Sequence, residues 1–251
     1  MPDNGTRLVS LAERPDLSAA VMPVLASRWP AFMLHGRPGH DVDLPGLLSR
    51  SPAHQVLLVD AAGEVLAVGL STPLAWDRTA DGLPTGWDGA VAASAELLDR
   101  GAAPSAVCAL SITITPAGTG RGYGIRMVQA LKAAAATAGV HTLIAPVRPA
   151  LKDRYPLIPM PRYVTWRTAD GRVFDPWLRL HLTAGATQLR IAERSMTITG
   201  TPAEWSTWTG LDLPGSGSYV IPRGLAPLAV DLDAGTGRYE EANVWVAHPI
   251  A

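Results

Sequence analysis

The sequence predicts a mixed α/β fold, with a mostly antiparallel sheet flanked by helices and all 251 residues in one domain. Three observations predict it. The run "HQVLLVDAAGEVLAVGLST" places two apolar, β-branched stretches around Asp60-Ala61-Ala62-Gly63, which is the pattern of an antiparallel hairpin. Between 106 and 147 a strand, a helix and a strand follow one another, and the simplest geometry for them is a right-handed crossover joining parallel strands. A composition of 47% hydrophobic and 17% charged residues is that of an ordinary globular chain. Combining a hairpin with a crossover gives a mixed sheet with helices on its faces.

The elements follow in order. Residues 6–11 read as a short strand, and Asp16-Leu17-Ser18 opens an apolar stretch to Trp29 that reads as a helix interrupted by Pro23 and Pro30. Residues 43–49 add a turn or two of helix before the hairpin. A loop rich in glycine and proline leads to an alanine-rich helix near 90–98, and a strand is expected over 106–115. The next helix runs over about 124–138, with Ile125, Val128 and Leu131 at helical spacing and Gly139 as its stop. "HTLIAPV" is the next strand. Residues 148–174, rich in proline and aromatics, read as an inserted lid. Asp175-Pro176 is an N-cap with proline at the first helical position, and Gly185 closes that helix. Residues 187–251 supply further strands and a brief helix opened by the capping box Thr201-Pro202-Ala203-Glu204, and they end in a hairpin over 226–248.

Bulk properties exclude several function classes. A formal net charge of −1 and scattered arginines argue against a nucleic-acid surface, which needs a concentrated basic face. No window approaches the ~18 uninterrupted apolar residues of a membrane span. The N-terminal residues do not form a secretory signal. With Cys108 as the sole cysteine, neither an intramolecular disulfide nor a multi-cysteine zinc site can form, and a cytoplasmic setting is expected.

The stretch "ITITPAGTGRGYGIRMVQALKAAAA" carries the functional signal. Gly118, Gly120, Gly122 and Gly124 alternate between a strand end and a helix start, exposing backbone N–H groups where the helix dipole also favours negative charge. Phosphate is the expected guest. A P-loop requires a lysine beside the last glycine, and none is present. A dinucleotide fingerprint requires glycine at Tyr123, Ile125 or Met127 and an acid about 20 residues on, and the chain has neither.

The segment resembles the pyrophosphate loop of the GNAT superfamily of acyl-CoA-dependent N-acetyltransferases. There an apolar strand and a proline precede [QR]-x-x-G-x-[GA], and here Ile112, Ile114 and Pro116 precede Thr119-Gly120-Arg121-Gly122-Tyr123-Gly124. Thr119 departs from the usual Gln or Arg. The resemblance implies acetyl-CoA, or another short acyl-CoA, held by Ile112, Thr113, Ile114 and residues Thr119, Gly120, Arg121, Gly122, Tyr123 and Gly124. It also implies that the strands on either side of the loop and its helix splay apart, with pantetheine filling the gap and the acyl carbonyl near Ser111 and Ile112. Amide donors there would stabilise the oxyanion.

In "WLRLHLTAGA" the family tyrosine that protonates the departing thiolate corresponds to His181, four residues before Gly185. Free imidazole, near 6.5, is only about a quarter protonated at pH 7, yet histidine can act as acid or base. The other reading of His181 is a helical residue covering the sheet edge. Tyr155 and Tyr163 are reserve acids, Tyr163 favoured instead as part of the lid. Trp29, Phe32 and His35 are expected in the acceptor-pocket wall, and His35 with His40 would make a metal site only with a third ligand. Asp175 and Glu96 are candidate bases, better explained as a cap and a solvated face. The expected partner is a small-molecule amine, with room for a homodimer, and the rival function is a CoA-binding module without catalysis.

Overall fold

The computed structural model describes residues 5–35 and 43–250. A short strand β1 (Arg7–Ser10) opens the chain. A 3-10 turn over Pro15–Leu17 leads into α1 (Ser18–Ala26), which carries Pro23 within it, and Pro30 separates α1 from the five-residue α2 (Ala31–His35). The helix α3 (Leu44–Ser49) precedes the hairpin β2 (Val56–Val59) and β3 (Val65–Leu74), and α4 (Trp87–Asp99) follows. α4 starts earlier than alanine content suggests because Trp87 is buried and its amide is bonded by Ser195 Oγ at 2.9 Å.

The crossover consists of β4 (Ala106–Ile114), α5 (Tyr123–Thr137) and β5 (Thr142–Val147), with the two strands parallel as expected. The chain continues through α6 (Met160–Tyr163), α7 (Pro176–Thr183), β6 (Thr187–Gly200) and α8 (Pro202–Thr209). It ends with β7 (Gly217–Tyr219), β8 (Leu228–Asp231) and β9 (Thr236–Pro249). β6, expected as one or two strands, is a single 14-residue strand with two register shifts along β9. β7 was not foreseen, because a three-residue strand in a Gly-Ser run has no apolar alternation.

All described strands join one sheet in the order β1-β2-β3-β4-β5-β9-β8-β7, with β6 pairing a further part of β9. Alternation along the strands separates two buried layers. One holds Cys108, Leu110, Ile144, Tyr239 and Trp245 against α1, α2, α4 and α8. The other holds Val107, Ala109, Leu143, Ala145 and Val147 against α5 and α7. Asp175 caps α7 by accepting from the amides of Trp177 and Leu178, and Thr201 with Glu204 forms the expected capping box.

The segment 148–174 differs from an unattached lid. Tyr155, Tyr163, Trp166 and Phe174 pack edge to face among themselves. The Lys152 ammonium is buried and bonds the carbonyls of Tyr155 and Leu225, and burial lowers its pKa to about 8. Its only residues at the central cleft are Arg148 and Ala150.

Candidate active site

The parallel pairing of β4 with β5 lasts for two residue pairs, Val107 with Leu143 and Cys108 with Ile144. Beyond them the strands part. A cleft of about 430 Å³ opens there, lined by β4 from Ala109 to Ile114 and by Ala145, Pro146 and Val147 of β5. The Thr115 amide donates to Leu66 O of β3. Antiparallel alternation therefore turns the backbone polar groups of Ile114 and Ile112 away from β3, towards the gap. The Ile114 carbonyl accepts from Arg28 Nε at 2.9 Å, which fixes that direction.

The glycine loop closes one end. Gly120 and Gly122 have φ of +79° and +76° with open space beyond them, so glycine serves there for backbone conformation. Gly124 serves for proximity: a Cβ would lie 3.0 Å from Leu180 and Trp177 of α7. The amides of Gly120, Arg121 and Gly122 make no hydrogen bond to protein among the described residues, and Gly122 lacks a side-chain cap. The first amides of α5, unpaired within any helix, continue the same array. The arrangement is an anion cradle opening onto the cleft, and Thr119 and Gly120 line both. Thr119 supplies no charge, but its hydroxyl accepts a short hydrogen bond from the guanidinium of Arg28. Tyr123 is buried in the α5 layer and does not face the cleft.

On the other side, Ser111 Oγ lies 2.9 Å from Thr113 Oγ1, which accepts from Trp29 Nε1 at 3.2 Å. Trp29 packs edge-on against Trp87, whose indole N–H donates to Leu110 O. Ser111, Thr113 and Trp29 thus meet at the cleft as the sequence suggests. Phe32 and His35 do not. Phe32 is buried against Trp205 and Tyr239, and His35 stacks on Trp208, because the short α2 turns that face onto α8. His40 lies outside the described residues, and no group of three or more metal-ligating side chains occurs among those described.

His181 reaches the cleft from α7, 3% exposed. Its Nδ1 lies 2.9 Å from Nε2 of His248, itself fully buried on β9. Burial, and then the neighbouring His248, lower the His181 pKa to about 3, and burial lowers that of His248 to about 4. At neutral pH both rings are uncharged, which corrects the expectation of an imidazolium acid.

Tyr163 is also corrected. It is 1% exposed, donates to Asp175 Oδ2 at 2.8 Å, and is pushed up in pKa chiefly by burial. Neither it nor Tyr155 lines the cleft. Asp175 spends its carboxylate on that hydroxyl and on the amides of Leu151, Trp177 and Leu178, and Glu96 pairs with Arg100 on the surface. Cys108 is buried and its thiol pKa raised, so it is inert. Sequence reasoning missed Arg28, Met33, Trp87, Arg148, Met196, Glu241 and Asn243, all of which line the cleft. Glu241 and Asn243 left one signal, polar residues two apart in the apolar run "EANVWVA".

No family model matches the chain. An arginine N-acetyltransferase from Aspergillus versicolor, avaD, is 32% identical over 98% of this chain and 94% of its own length. The chain belongs to the GNAT superfamily of N-acetyltransferases. It is an acyl-CoA-dependent N-acyltransferase. The fold agrees. The loading GNATL domain of CurA from Lyngbya majuscula superposes with a TM-score of 0.59 at 15% identity, covering 98% of both chains. The GphF GNAT-like decarboxylase, solved with isobutyryl-CoA, gives 0.58 at 19% identity, covering 98% of this chain and 99% of that one. The alternative of a CoA-binding module without catalysis loses its support. No helix among the described residues is long and apolar enough to cross a membrane.

Proposed function

We propose that this GNAT protein moves an acetyl or other short acyl group from CoA to the amine nitrogen of a small molecule, with both reactants held together in the β4–β5 cleft. Free arginine is the first acceptor to test, since the Aspergillus relative is an arginine N-acetyltransferase. The observation that carries the reading is the parting of β4 from β5 after two residue pairs, beside a loop in which the amides of Gly120, Arg121 and Gly122 have no acceptor among the described residues.

The residues present fit the donor. The amides of Gly120, Arg121 and Gly122 would hold its diphosphate, and the backbone of Ile112 and Ile114 its amide-bearing arm. When bound, acetyl-CoA supplies an acyl carbon activated as a thioester. Trp29, Trp87, Met33 and Met196 wall the space in which the acceptor would lie and exclude water from it. As the nitrogen–carbon bond forms and the carbon–sulfur bond breaks, one proton leaves the amine and one reaches the sulfur.

His181 serves this exchange as a neutral donor. His248 Nδ1 is buried without a hydrogen-bond partner. A buried orphan N–H is rarer than a bare acceptor, so the proton of His248 is assigned to Nε2, where it donates to His181 Nδ1. His181 then carries its own proton on Nε2. An imidazole of lowered pKa that donates a hydrogen bond to developing negative charge is an established catalytic device.

Calorimetric titration with acetyl-CoA, followed by a free-thiol assay with L-arginine and a panel of small amines, tests the function. Thiol release that requires both acetyl-CoA and an amine is expected. Saturable acetyl-CoA binding with no amine-dependent thiol release across the panel would overturn it.

A further inference from the structure

The acceptor end of the cleft has an unbalanced charge. Arg28 and Arg148 line it, and Glu241 is the one carboxylate among the lining residues. Glu241 is fully buried and its oxygens are committed: both accept from Arg148 Nε at 3.0 Å, one also from Tyr239 Oη at 2.7 Å and the other from Asn243 Nδ2 at 3.2 Å. It has no capacity left for a substrate cation.

Arg148 is not used up in the same way. Its Nε faces Glu241, one Nη donates to Arg223 O at 2.8 Å and the Tyr239 hydroxyl is a further hydrogen-bonding neighbour, which still leaves N–H groups of the five-donor guanidinium uncommitted. Its side chain is 28% exposed. Arg223 ties the cluster together, since its own guanidinium donates a short bond to the carbonyl of Arg28. It does so from φ +62°, a left-handed conformation uncommon outside glycine. Burial lowers the Arg223 pKa first, and the charges of Arg148 and Arg28 lower it further, with Asp153 acting in opposition. Three guanidinium groups therefore crowd one place with too little counter-charge.

Placement separates Arg148 from the glycine cradle, whereas Arg28 reaches back to Ile114 and Thr119 at the cradle's edge. Along β5, Leu143, Ala145 and Val147 belong to the α5 layer and Ile144 to the opposite one. Alternation assigns Arg148 to the layer of Ile144, where Tyr239 and Trp245 of β9 also lie. The cradle, by contrast, stands at the N-terminus of α5.

Building on the N-acetyltransferase reading above, we infer that Arg148, backed by Arg28 and Arg223, is a carboxylate receptor, so that the acceptor is a free amino acid and not a simple amine. The fork of Arg148 holds the carboxylate. The apolar wall of Trp29 and Trp87 directs the neighbouring amine towards Ser111. Glu241 keeps the fork in place and screens only part of its charge.

The test compares amino acids with the amines left when their carboxylate is removed: L-arginine with agmatine, L-tryptophan with tryptamine, and L-phenylalanine with phenethylamine. The expected result is a preference of about a hundredfold in kcat/KM for the amino acid of a pair, carried by KM. An amine equal to or better than its amino acid would overturn the inference and leave the N-acetyltransferase reading standing. Calorimetry in the presence of CoA judges the receptor without turnover. N-acetyl-L-arginine should bind at least tenfold tighter than N-acetylagmatine, and equal or absent binding of both would overturn the inference even if no acceptor were acetylated.

The double variant Arg148→Met/Glu241→Gln avoids stranding a buried carboxylate. It should abolish the preference while shifting CoA affinity less than threefold. Arg28→Met should weaken the preference severalfold. A loss confined to CoA affinity in either variant would reassign the cluster to the CoA phosphates and overturn the inference.

Discussion

The two ends of the cleft are built in opposite ways. The cradle uses consecutive residues, Gly120 to Gly124, and presents backbone amides, so its chemistry depends on conformation. The proposed acceptor end uses side chains from the α1–α2 turn, α2, α4, the end of β5, β6 and β9, and its chemistry depends on convergence. A site made of main chain is robust to side-chain identity but intolerant of a changed φ. A convergent site can be altered one side chain at a time.

That contrast can be broken most forcefully at Gly120. A β-branched residue at φ +79° costs of order 1–3 kcal/mol in backbone strain or forces the loop to another conformation. Gly120→Val is expected to weaken CoA binding about a hundredfold by calorimetry, and affinity within threefold of the parent would refute the cradle. His181→Phe should lower kcat by roughly 10–100-fold, the usual range for loss of one such donor or acid, with KM for acetyl-CoA little changed. Because His181 is neutral down to about 3, the parent kcat should show no inflection near pH 6.5 from this residue. A profile that loses such an inflection in the variant would restore the imidazolium role.

At the convergent end, Trp29→Ala should raise the acceptor KM about tenfold, the scale of one lost aromatic contact, while CoA affinity stays within twofold. Equal loss of both would merge the two ends into one site. A pH effect on stability belongs to the same end of the cleft. In the unfolded chain His181 and His248 take up protons below about 6.5, whereas in the folded protein they do so only near 3 and 4. The unfolded state therefore binds more protons, and stability falls as pH drops from 6.5 towards 4, by up to ~1.4 kcal/mol per pH unit for each histidine. Denaturant titrations should show this slope flattened in His248→Phe. The least effect on activity belongs to Tyr163→Phe: about 1 kcal/mol of stability from the lost bond to Asp175, and unchanged kcat. A tenfold fall in kcat would return Tyr163 to the active site.

The same contrast explains what could be read in advance. Strand, glycine loop and helix are contiguous, so their pattern survives in sequence, and Ser111 and Thr113 followed from the family resemblance it carries, whereas Trp29 was expected in the acceptor wall together with Phe32 and His35. Phe32 and His35 were misplaced because apolar character does not say which neighbour a five-residue helix will meet. The partner was α8, far along the chain. His181 was found by position, but its protonation state depended first on its burial and then on His248, 67 residues away. Arg148, Arg223 and Glu241 are ordinary charged residues in the sequence, and only the sheet brings them together.

The early separation of β4 from β5 leaves a sheet with an edge inside it. Exposed rungs normally belong to outer strands, where they invite pairing with foreign chains. Here the rung at Ile112 lies open between flanking helices while the Ile114 carbonyl is covered by Arg28, and a slender, amide-bearing guest would fit there. Such a guest behaves as a surrogate strand, so loading the donor completes the molecule's own architecture and should slow hydrogen exchange across its centre.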